Sequence, residues 1–478
     1  MSRSNNVLFI FRRDLRIQDN KGLNRAVQVC EALPNGKLIL AFVFSKHQID
    51  ESEYYSEKAF RFMLQCLEDL NERVDGKLAF FDTDDFYDRV PALSAVVFNA
   101  DYTPYARKRD GKIAEYCDAR GIDCFAEEDY TLHPIRAIKT KQEERAYQVF
   151  GPFFRQATSG KVGRIPTAGF EDVASFRASL HPKSFGDDAL LDGYLHKKRF
   201  TEDFSEVSVV GGREHALRAL DEVDASFAKR YGDARDFPAK GHTTGLSPYI
   251  KFGCVSVREV YDVFRRFESD DLLKQLYWRE FYANVAFHYE HVLRGMASAR
   301  RNLEMYPKFR TIKWRYSKRA FARWCRGETG VPIVDAGMRQ LNRTGIMHNR
   351  LRMITASFLI KNLHIDWRWG ERYFARKLID YDPASNNGGW QWVAGTGTDA
   401  SEYYRVFNPI TQTERFDEEA TFVHEHVPEL REVDAKDVLR WDESDVRNRY
   451  PQVKVEYPEP MVDLKKSSKR AKEALYKL

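Results

Sequence analysis

Thirteen consecutive residues, Asp380-Tyr381-Asp382-Pro383-Ala384-Ser385-Asn386-Asn387-Gly388-Gly389-Trp390-Gln391-Trp392, bring together two carboxylates, adjacent amides, a glycine pair and two indoles. Asp382-Pro383 has the form of a helix start, aspartate as N-cap and proline at the first helical position. Gly388-Gly389 removes side-chain bulk, so a flat ligand could come close to the backbone. Carboxylates and amides beside such a gap can fix a ring with several hydrogen-bonding edges. Trp390 and Trp392 add flat apolar faces with one donor each. The same residues also make an ordinary capped turn followed by core aromatics, and at this level both readings stand.

Other stretches bear on the choice. In Met347-His348-Asn349-Arg350-Leu351-Arg352-Met353, the residues Asn349, Arg350 and Met353 fall on one side of a helix, with Arg352 adjacent. Burying Arg352 requires a carboxylate partner, and Asp380 or Asp382 is available. Met353 supplies a polarizable contact for a flat ring. Thr243-Thr244-Gly245-Leu246-Ser247 sets hydroxyls and free amides on a turn before a helix, where they suit phosphate oxygens. Plain capping by Ser247 with Pro248 at the first helical position explains the same pattern. Trp278 and Tyr282, four apart with Arg279 alongside, share a helix face that equally suits a core. No nucleophile signature, HExxH or P-loop occurs. The 12 histidines lack zinc spacing, so chemistry would belong to a bound organic cofactor.

The elements that must position these residues divide the chain. At 478 residues, two or more domains are expected. A composition of 43% hydrophobic and 31% charged residues is that of a globular protein, and no apolar run reaches membrane-span length. The N-terminus is too short in apolar residues for a signal h-region. Six cysteines without metal or CxxC spacing indicate reduced thiols inside a cell. Net charge is only +5, whereas aromatics reach 14%, which implies a large aromatic core, stacking surfaces, or both.

Val7–Phe11, Lys37–Phe44, Leu78–Phe81, Ala95–Asn99 and Ile122–Phe125 are short apolar strands alternating with helical runs. That alternation predicts an α/β domain over 1–132, a doubly wound parallel sheet buried on both faces. No GxGxxG follows the first strand. Ligands on such sheets bind beyond the strand C-termini, which here carry Arg12, Arg13 and Asp14, and Asp101. Residues 133–210 lose strand periodicity and read as a long linker. An all-α domain over 211–455 follows, with helices expected over Arg213–Tyr231, Ser256–Phe267, Leu272–His288, Val334–Leu341, His348–Lys361 and Gly370–Ile379. The 456–478 tail holds the basic cluster Lys465–Arg470, which suits either a nuclear address or a solvated helix.

With these motifs assembled, the chain resembles the photolyase/cryptochrome flavoproteins, most closely the class I cyclobutane pyrimidine dimer photolyases. The similarity runs from Phe11-Arg12-Arg13-Asp14-Leu15-Arg16 through Tyr147–Phe153 to Arg405-Val406-Phe407-Asn408-Pro409, and is densest over Gly345–Leu363 and Asp380–Trp392. The resemblance implies FAD in the helical domain. Tyr231 and Thr243, Thr244, Gly245, Leu246 and Ser247 match its phosphate and ribityl contacts. Arg279, Asn349, Arg352, Asp380, Asp382 and Asn386 match its ring contacts, with Asn386 facing flavin N5, where plant cryptochromes carry aspartate. Trp390, Trp367 and Trp314 match the electron-transfer triad. Trp278, Met353 and Trp392 match the lesion pocket, and Arg350 and Arg405 are candidates for the DNA phosphates.

The implied activity is blue-light repair of ultraviolet-damaged DNA by a monomer, cytoplasmic or nucleoid-bound in a prokaryote. Two departures bear on lesion choice: Gln275 replaces a glutamate that hydrogen-bonds the dimer, and Ile346 replaces a tryptophan. Glutamine also occurs in the (6-4) photolyase branch, but that branch carries histidines in place of Asn349 and Met353. For the antenna, Tyr105-Ala106 stands where folate binders carry Asn-Glu, so Asp101 and Lys251 point to an 8-hydroxy-5-deazaflavin type over methenyltetrahydrofolate, with FMN or an empty site as alternatives. The rival readings are a blue-light receptor without repair and a light-independent nucleic-acid binder.

Overall fold

The structure, a computed structural model, describes residues 5–83, 86–140, 146–166, 174–187, 189–197, 200–293, 305–399 and 406–475. The chain packs as two compact units, each assembled from three stretches. The first takes Met1–Glu202, Val209–Ala228 and Thr244–Glu290; the second takes Asp203–Ser208, Lys229–Thr243 and His291–Leu478.

In the first unit, β1 (Asn6–Phe11), β2 (Lys37–Val43), β3 (Leu78–Phe81), β4 (Leu93–Asn99) and β5 (Asp123–Glu127) form one sheet in the order β3-β2-β1-β4-β5. All four pairings are parallel. The apolar runs of β1 to β4 are buried as expected. β5 is not: none of its residues is fully buried, unlike those of β3, the sheet's other edge. The chain works outward from β1 to β3, then jumps back to β4, so the topological switch lies between β1 and β4.

Caps define the helices of this unit. α1 (Lys21–Ala32) starts at Asn20, α2 (Glu57–Arg73) at Ser56 and α3 (Pro104–Asp118) at Thr103, each side chain accepting a first-turn amide. α4 (Val257–Arg266) opens with a reciprocal Ser256/Glu259 capping box, and α5 (Asp270–His288) with Ser269.

Two expectations are corrected here. The 133–210 stretch is not a bare connector, for it contains helices Phe150–Ala157, Ala174–Ser179 and Ala189–Asp192 and buries Phe153 and Phe176. Leu180 bridges in parallel to Leu38, a position that β3, paired with β2 only from Leu40 onward, leaves open. The run expected as one helix over Arg213–Tyr231 is two, Arg213–Asp221 and Ala225–Ala234, because the Asp224 carboxylate accepts from Phe227 N at 2.7 Å and starts the second.

The second unit is helical. Its main helices are α6 (Lys318–Arg326), α7 (Pro332–Thr344), α8 (Asn349–Ser357), α9 (Trp367–Lys377), α10 (Pro383–Ala394) and α11 (Leu464–Leu475). α8 runs on into a wider turn over Phe358–Asn362, closed by Leu363 N donating to Phe358 O at 3.0 Å. α11 docks on that turn: Leu464, Ser467 and Ala471 are buried, and Asn362 Nδ2 donates to Ser467 Oγ at 2.9 Å. The basic C-terminal cluster is therefore the outer face of a packed helix.

The first unit also contains a buried ionic node invisible in the sequence. Asp129 accepts from Arg16 Nη2 at 2.7 Å and Arg258 Nη2 at 2.6 Å, and all three side chains are buried. Burial opposes the Asp129 charge, but the two guanidiniums outweigh it and hold the carboxyl below the usual range. Asp129→Ala leaves two buried cations short of a counter-ion and is expected to destabilise the protein by about 3–5 kcal/mol in urea denaturation. A loss within ~0.5 kcal/mol, as at an ordinary surface site, would contradict that account.

Candidate active site

In the second unit, the Asp382 carboxylate accepts from Ser385 N at 2.9 Å with Pro383 at the first helical position, so α10 starts as its sequence requires. One face of α10 is locked into the core. Asn387 Nδ2 donates to Val292 O at 3.0 Å, Gln391 Nε2 to Asn387 Oδ1 at 2.8 Å, and Gln391 Oε1 accepts Met305 N at 3.0 Å. The opposite face, through Ser385, Asn386, Gly388 and Gly389, is only half-buried. A Cβ added at Gly389 would meet nothing within 4 Å, so room is left over that face.

Arg352 Nη2 donates to both Asp380 oxygens, at 2.8 and 3.1 Å, which is the pairing that burial demanded. The carboxylate is 5% exposed and the guanidinium 29%, leaving the cation open on one side. On α8, Asn349 Nδ2 points at Met353 Sδ, 3.7 Å away.

Asn386 has a partner that spacing did not reveal. Its Nδ2 donates to the main-chain oxygen and to Oε1 of Glu371, each at 3.0 Å. A main-chain carbonyl can only accept, so the amide orientation is determined and Oδ1 is presented as an acceptor. Glu371 is 6% exposed; burial raises its carboxyl to about 7 against the opposing effects of Asn386 and Arg372. Only its place next to Gly370, where α9 must touch a neighbour, could have marked it. Lys361, also unforeseen, donates from Nζ to Ala394 O at 3.0 Å and caps the end of α10. Burial drives that amine well below the usual lysine range.

Trp390 is buried against α9: a Cβ at Gly370 would lie 2.5 Å from Trp390 Cζ3 and 2.7 Å from Leu359 Cδ2. Trp367 begins α9 and is fully buried, its Nε1 without an acceptor among the described residues. Trp314 is 7% exposed, its ring 5.4 Å from that of His364. A second line of rings, missed in the sequence, leaves Trp390 for Trp324 (6.2 Å), Phe321 (5.7 Å), Trp369 (5.2 Å) and Tyr316 (6.0 Å).

The remaining predicted residues fall as follows. In the second unit, Tyr231 is buried below Arg235, Trp392 lies 6.1 Å from Phe407, and Ile346 is half-buried. Arg350 pairs with Asp236 at 2.6 Å and covers Phe416, so its charge is already engaged. Arg405 lies outside the described residues.

In the first unit, Trp278 stacks on Phe150 at 3.7 Å and 6°, which occupies one face of the indole. Arg279 covers the Tyr130 ring and donates to Tyr130 O at 2.8 Å. Gln275 Nε2 donates to Asp271 O at 2.9 Å, so its Oε1 is turned outward as an acceptor. Gly245 and Ser247 are exposed, as is Thr243 of the second unit, and a Cβ at Gly245 would meet nothing within 4 Å. Ser247 is not the N-cap expected; the helix Ser247–Phe252 begins with it, because Leu246 already has helical backbone angles.

At the β1/β4 switch, Arg13 pairs with Asp101 at 3.4 Å. Burial works against the Asp101 charge, but Arg13, the Thr103 amide, Arg109 and Lys251 together bring its carboxyl below the usual range. Arg12 lies over Phe98, and its Nη2 is buried without a partner among the described residues. An anionic ring system would satisfy that donor.

The residues present therefore fit a flavin in the helical unit: open glycines, a half-exposed polar helix face, a paired guanidinium with one open side, and an oriented acceptor. The Glu371 shift has a definite sign. A carboxyl raised on folding contributes stability below its unfolded pKa and loses it as pH climbs through the folded value. Between about pH 5 and about pH 8, the stability of Glu371→Gln relative to wild type is expected to rise by roughly 1–3 kcal/mol in chemical denaturation. A pH-independent gap would contradict the buried, protonated acid.

Residues 7–168 match the DNA photolyase family and 272–477 match the FAD binding domain of DNA photolyase. The deoxyribodipyrimidine photo-lyase of Alkalihalophilus pseudofirmus is 36% identical over 96% of both chains. An archaeal photolyase from Sulfolobus tokodaii, solved with two FAD molecules, superposes with a TM-score of 0.80 at 33% identity, covering 99% of this chain and 100% of that one. A class III photolyase from Agrobacterium tumefaciens superposes with a TM-score of 0.85 at 32% identity, covering 100% of this chain and 98% of that one. From its switch-point sheet to its C-terminal helices, this chain belongs to the photolyase/cryptochrome family, with an FAD-binding helical portion.

Proposed function

We propose that the chain is a deoxyribodipyrimidine photo-lyase that binds ultraviolet-damaged DNA and splits cyclobutane pyrimidine dimers under blue light. The reduced flavin, when bound, supplies light-driven donation of one electron to the dimer, which is returned after the ring bonds cleave. The observation that carries this reading is the orientation of Asn386. With Nδ2 held by Glu371, its Oδ1 accepts a hydrogen bond, and an acceptor there favours a protonated ring nitrogen. An aspartate could not be oriented by donation to Glu371 in this way.

The other residues take supporting roles. Arg352 and Asp380 lie against the ring with Asp382 and Asn349, and Tyr231 and Thr243 take phosphate and ribityl oxygens. Arg279 and Thr244 to Ser247 are proposed as flavin contacts on the family resemblance alone. Trp390, Trp367 and Trp314 pass electrons inward. Trp367, whose N–H has no acceptor among the described residues, holds its proton when oxidised and so passes the vacancy on toward Trp314. Trp278, pinned on one face by Phe150, offers the other to a flipped base; in the helical unit, Trp392 and Met353 are the candidates for lesion contacts. The outward Oε1 of Gln275 supplies the acceptor of the family glutamate without its charge. The antenna is proposed at Asp101 and Lys251, of the 8-hydroxy-5-deazaflavin class; the absorption spectrum of the released chromophores tests that assignment.

Purified protein carrying fully reduced FAD should restore ultraviolet-irradiated thymine oligomers under blue light and leave them unchanged in the dark. No repair in that state would replace the photolyase reading with a receptor. Trp390→Phe should abolish photoreduction of the oxidised flavin yet repair at a near wild-type rate once the flavin is reduced chemically. Loss of repair in the pre-reduced variant would contradict the division between electron supply and lesion chemistry.

A further inference from the structure

Trp314, proposed as the outer end of the tryptophan path, and Tyr316, the end of the second line of rings, lie on one stretch of chain whose charge is unusual. Between Met305 and Gly327 the chain has eight lysines and arginines and no aspartate or glutamate. Arg326 pairs with Glu328, and Arg323 is held by main-chain oxygens of Glu328 and Glu459. The other six, Lys308, Arg310, Lys313, Arg315, Lys318 and Arg319, are exposed and have no ion-pair partner among the described residues. For a chain with a net charge of only +5, this is a strong local excess.

Trp314 lies at the midpoint of this stretch, between exposed Lys313 and Arg315. Arg315 N donates to His364 O at 2.8 Å, and the His364 ring, against Trp314, is within electrostatic range of Arg470. The basic outer face of α11 therefore adjoins the same surface. Tyr316, the end of the second line, is 68% exposed beside them.

We infer that this basic face docks an acidic electron-transfer protein that refills the tryptophan chain; the inference rests on the reading of Trp390, Trp367 and Trp314 as an electron path. Each photoreduction leaves one electron vacancy, an indole radical cation at Trp314. The partner gives one electron and is itself oxidised by one; the indole returns to its neutral form, and no bond breaks and no proton crosses. Two or three cations would hold a small anion. Here the cations extend along α6 and the 12-residue α11, which is about 18 Å long. That span suits a redox encounter burying less than about 1,200 Å². Nucleic acid would match the charge, and exposed Tyr316 suits a base, but buried Trp314 offers no stacking face and can still exchange an electron.

A plant-type [2Fe–2S] ferredoxin, an acidic one-electron carrier, is the probe. In the dark, its oxidised form should bind the FAD-loaded protein, with affinity falling at least about tenfold from low to physiological salt. After a light flash, the reduced form should speed the decay of the tryptophan radical with the same salt dependence. Lys313→Glu/Arg315→Glu/Lys318→Glu should lower both readouts at least about tenfold while leaving dimer repair by the chemically reduced protein unchanged. Lys308→Glu/Arg310→Glu/Arg319→Glu serves as a second variant. Salt-independent binding, or binding that survives both triple reversals, overturns the proposal. So does acceleration by ferrocyanide without any by ferredoxin, or displacement of ferredoxin by a short undamaged duplex that binds more tightly. Absence of any tryptophan radical in the wild type would instead count against the electron path, with dark binding still reporting on the surface.

Discussion

The close approach of two helices at Gly370 and Glu371 is the constraint on which the functional part of the helical unit depends. Only a glycine lets the Trp390 ring come this close to α9, since any Cβ there would overlap it. The next residue, Glu371, receives the Asn386 amide from the same partner helix. One contact thus sets the ring proposed as an electron donor and orients the amide proposed to face flavin N5. Moving α10 by a fraction of an ångström would disturb both together, because neither packed rings nor a two-point hydrogen bond tolerates sliding.

Buried charge serves the same end elsewhere. Asp129 with Arg16 and Arg258, Arg213 with Glu259, and Arg352 with Asp380 are costly to desolvate and add little net stability. Their geometric demands are strict, however, and each joins elements distant in sequence. The Arg213 guanidinium engages both Glu259 oxygens, and Glu259 in turn closes the capping box of α4. Unpaired, such groups would be expensive, so alternatives in register or helix rotation are disfavoured.

Much of the fold was legible because its signals are local. Alternating apolar strands and capped helices predict the sheet. Aspartate followed by proline predicts the start of α10, and the cost of burying Arg352 names its partner. The errors are also physical. Residues 133–210 lack periodicity because their helices are short and each packs on a different element, Phe150–Ala157 on α5, Ala174–Ser179 on α1 and Ala189–Asp192 on α2 and β3, and Leu180 takes a sheet position available only in three dimensions. Asp224 breaks a helix through a side-chain cap that the apolar pattern runs across.

By itself, the sequence determined the class of fold, the family, and the residue types available to hold a flavin, because those rest on motif chemistry and short-range periodicity. Tertiary structure alone decided how those types are used. It turned the Asn386 and Gln275 amides so that their oxygens face outward, engaged Arg350 with Asp236, and brought Glu371 and Lys361 to the ends of one helix. It also gathered the basic stretch around Trp314 and the α11 helix on one side. The reason is common to all of these: an amide's orientation, an arginine's availability and a carboxyl's protonation are set by whichever group lies opposite, and that neighbour is usually far away in the chain.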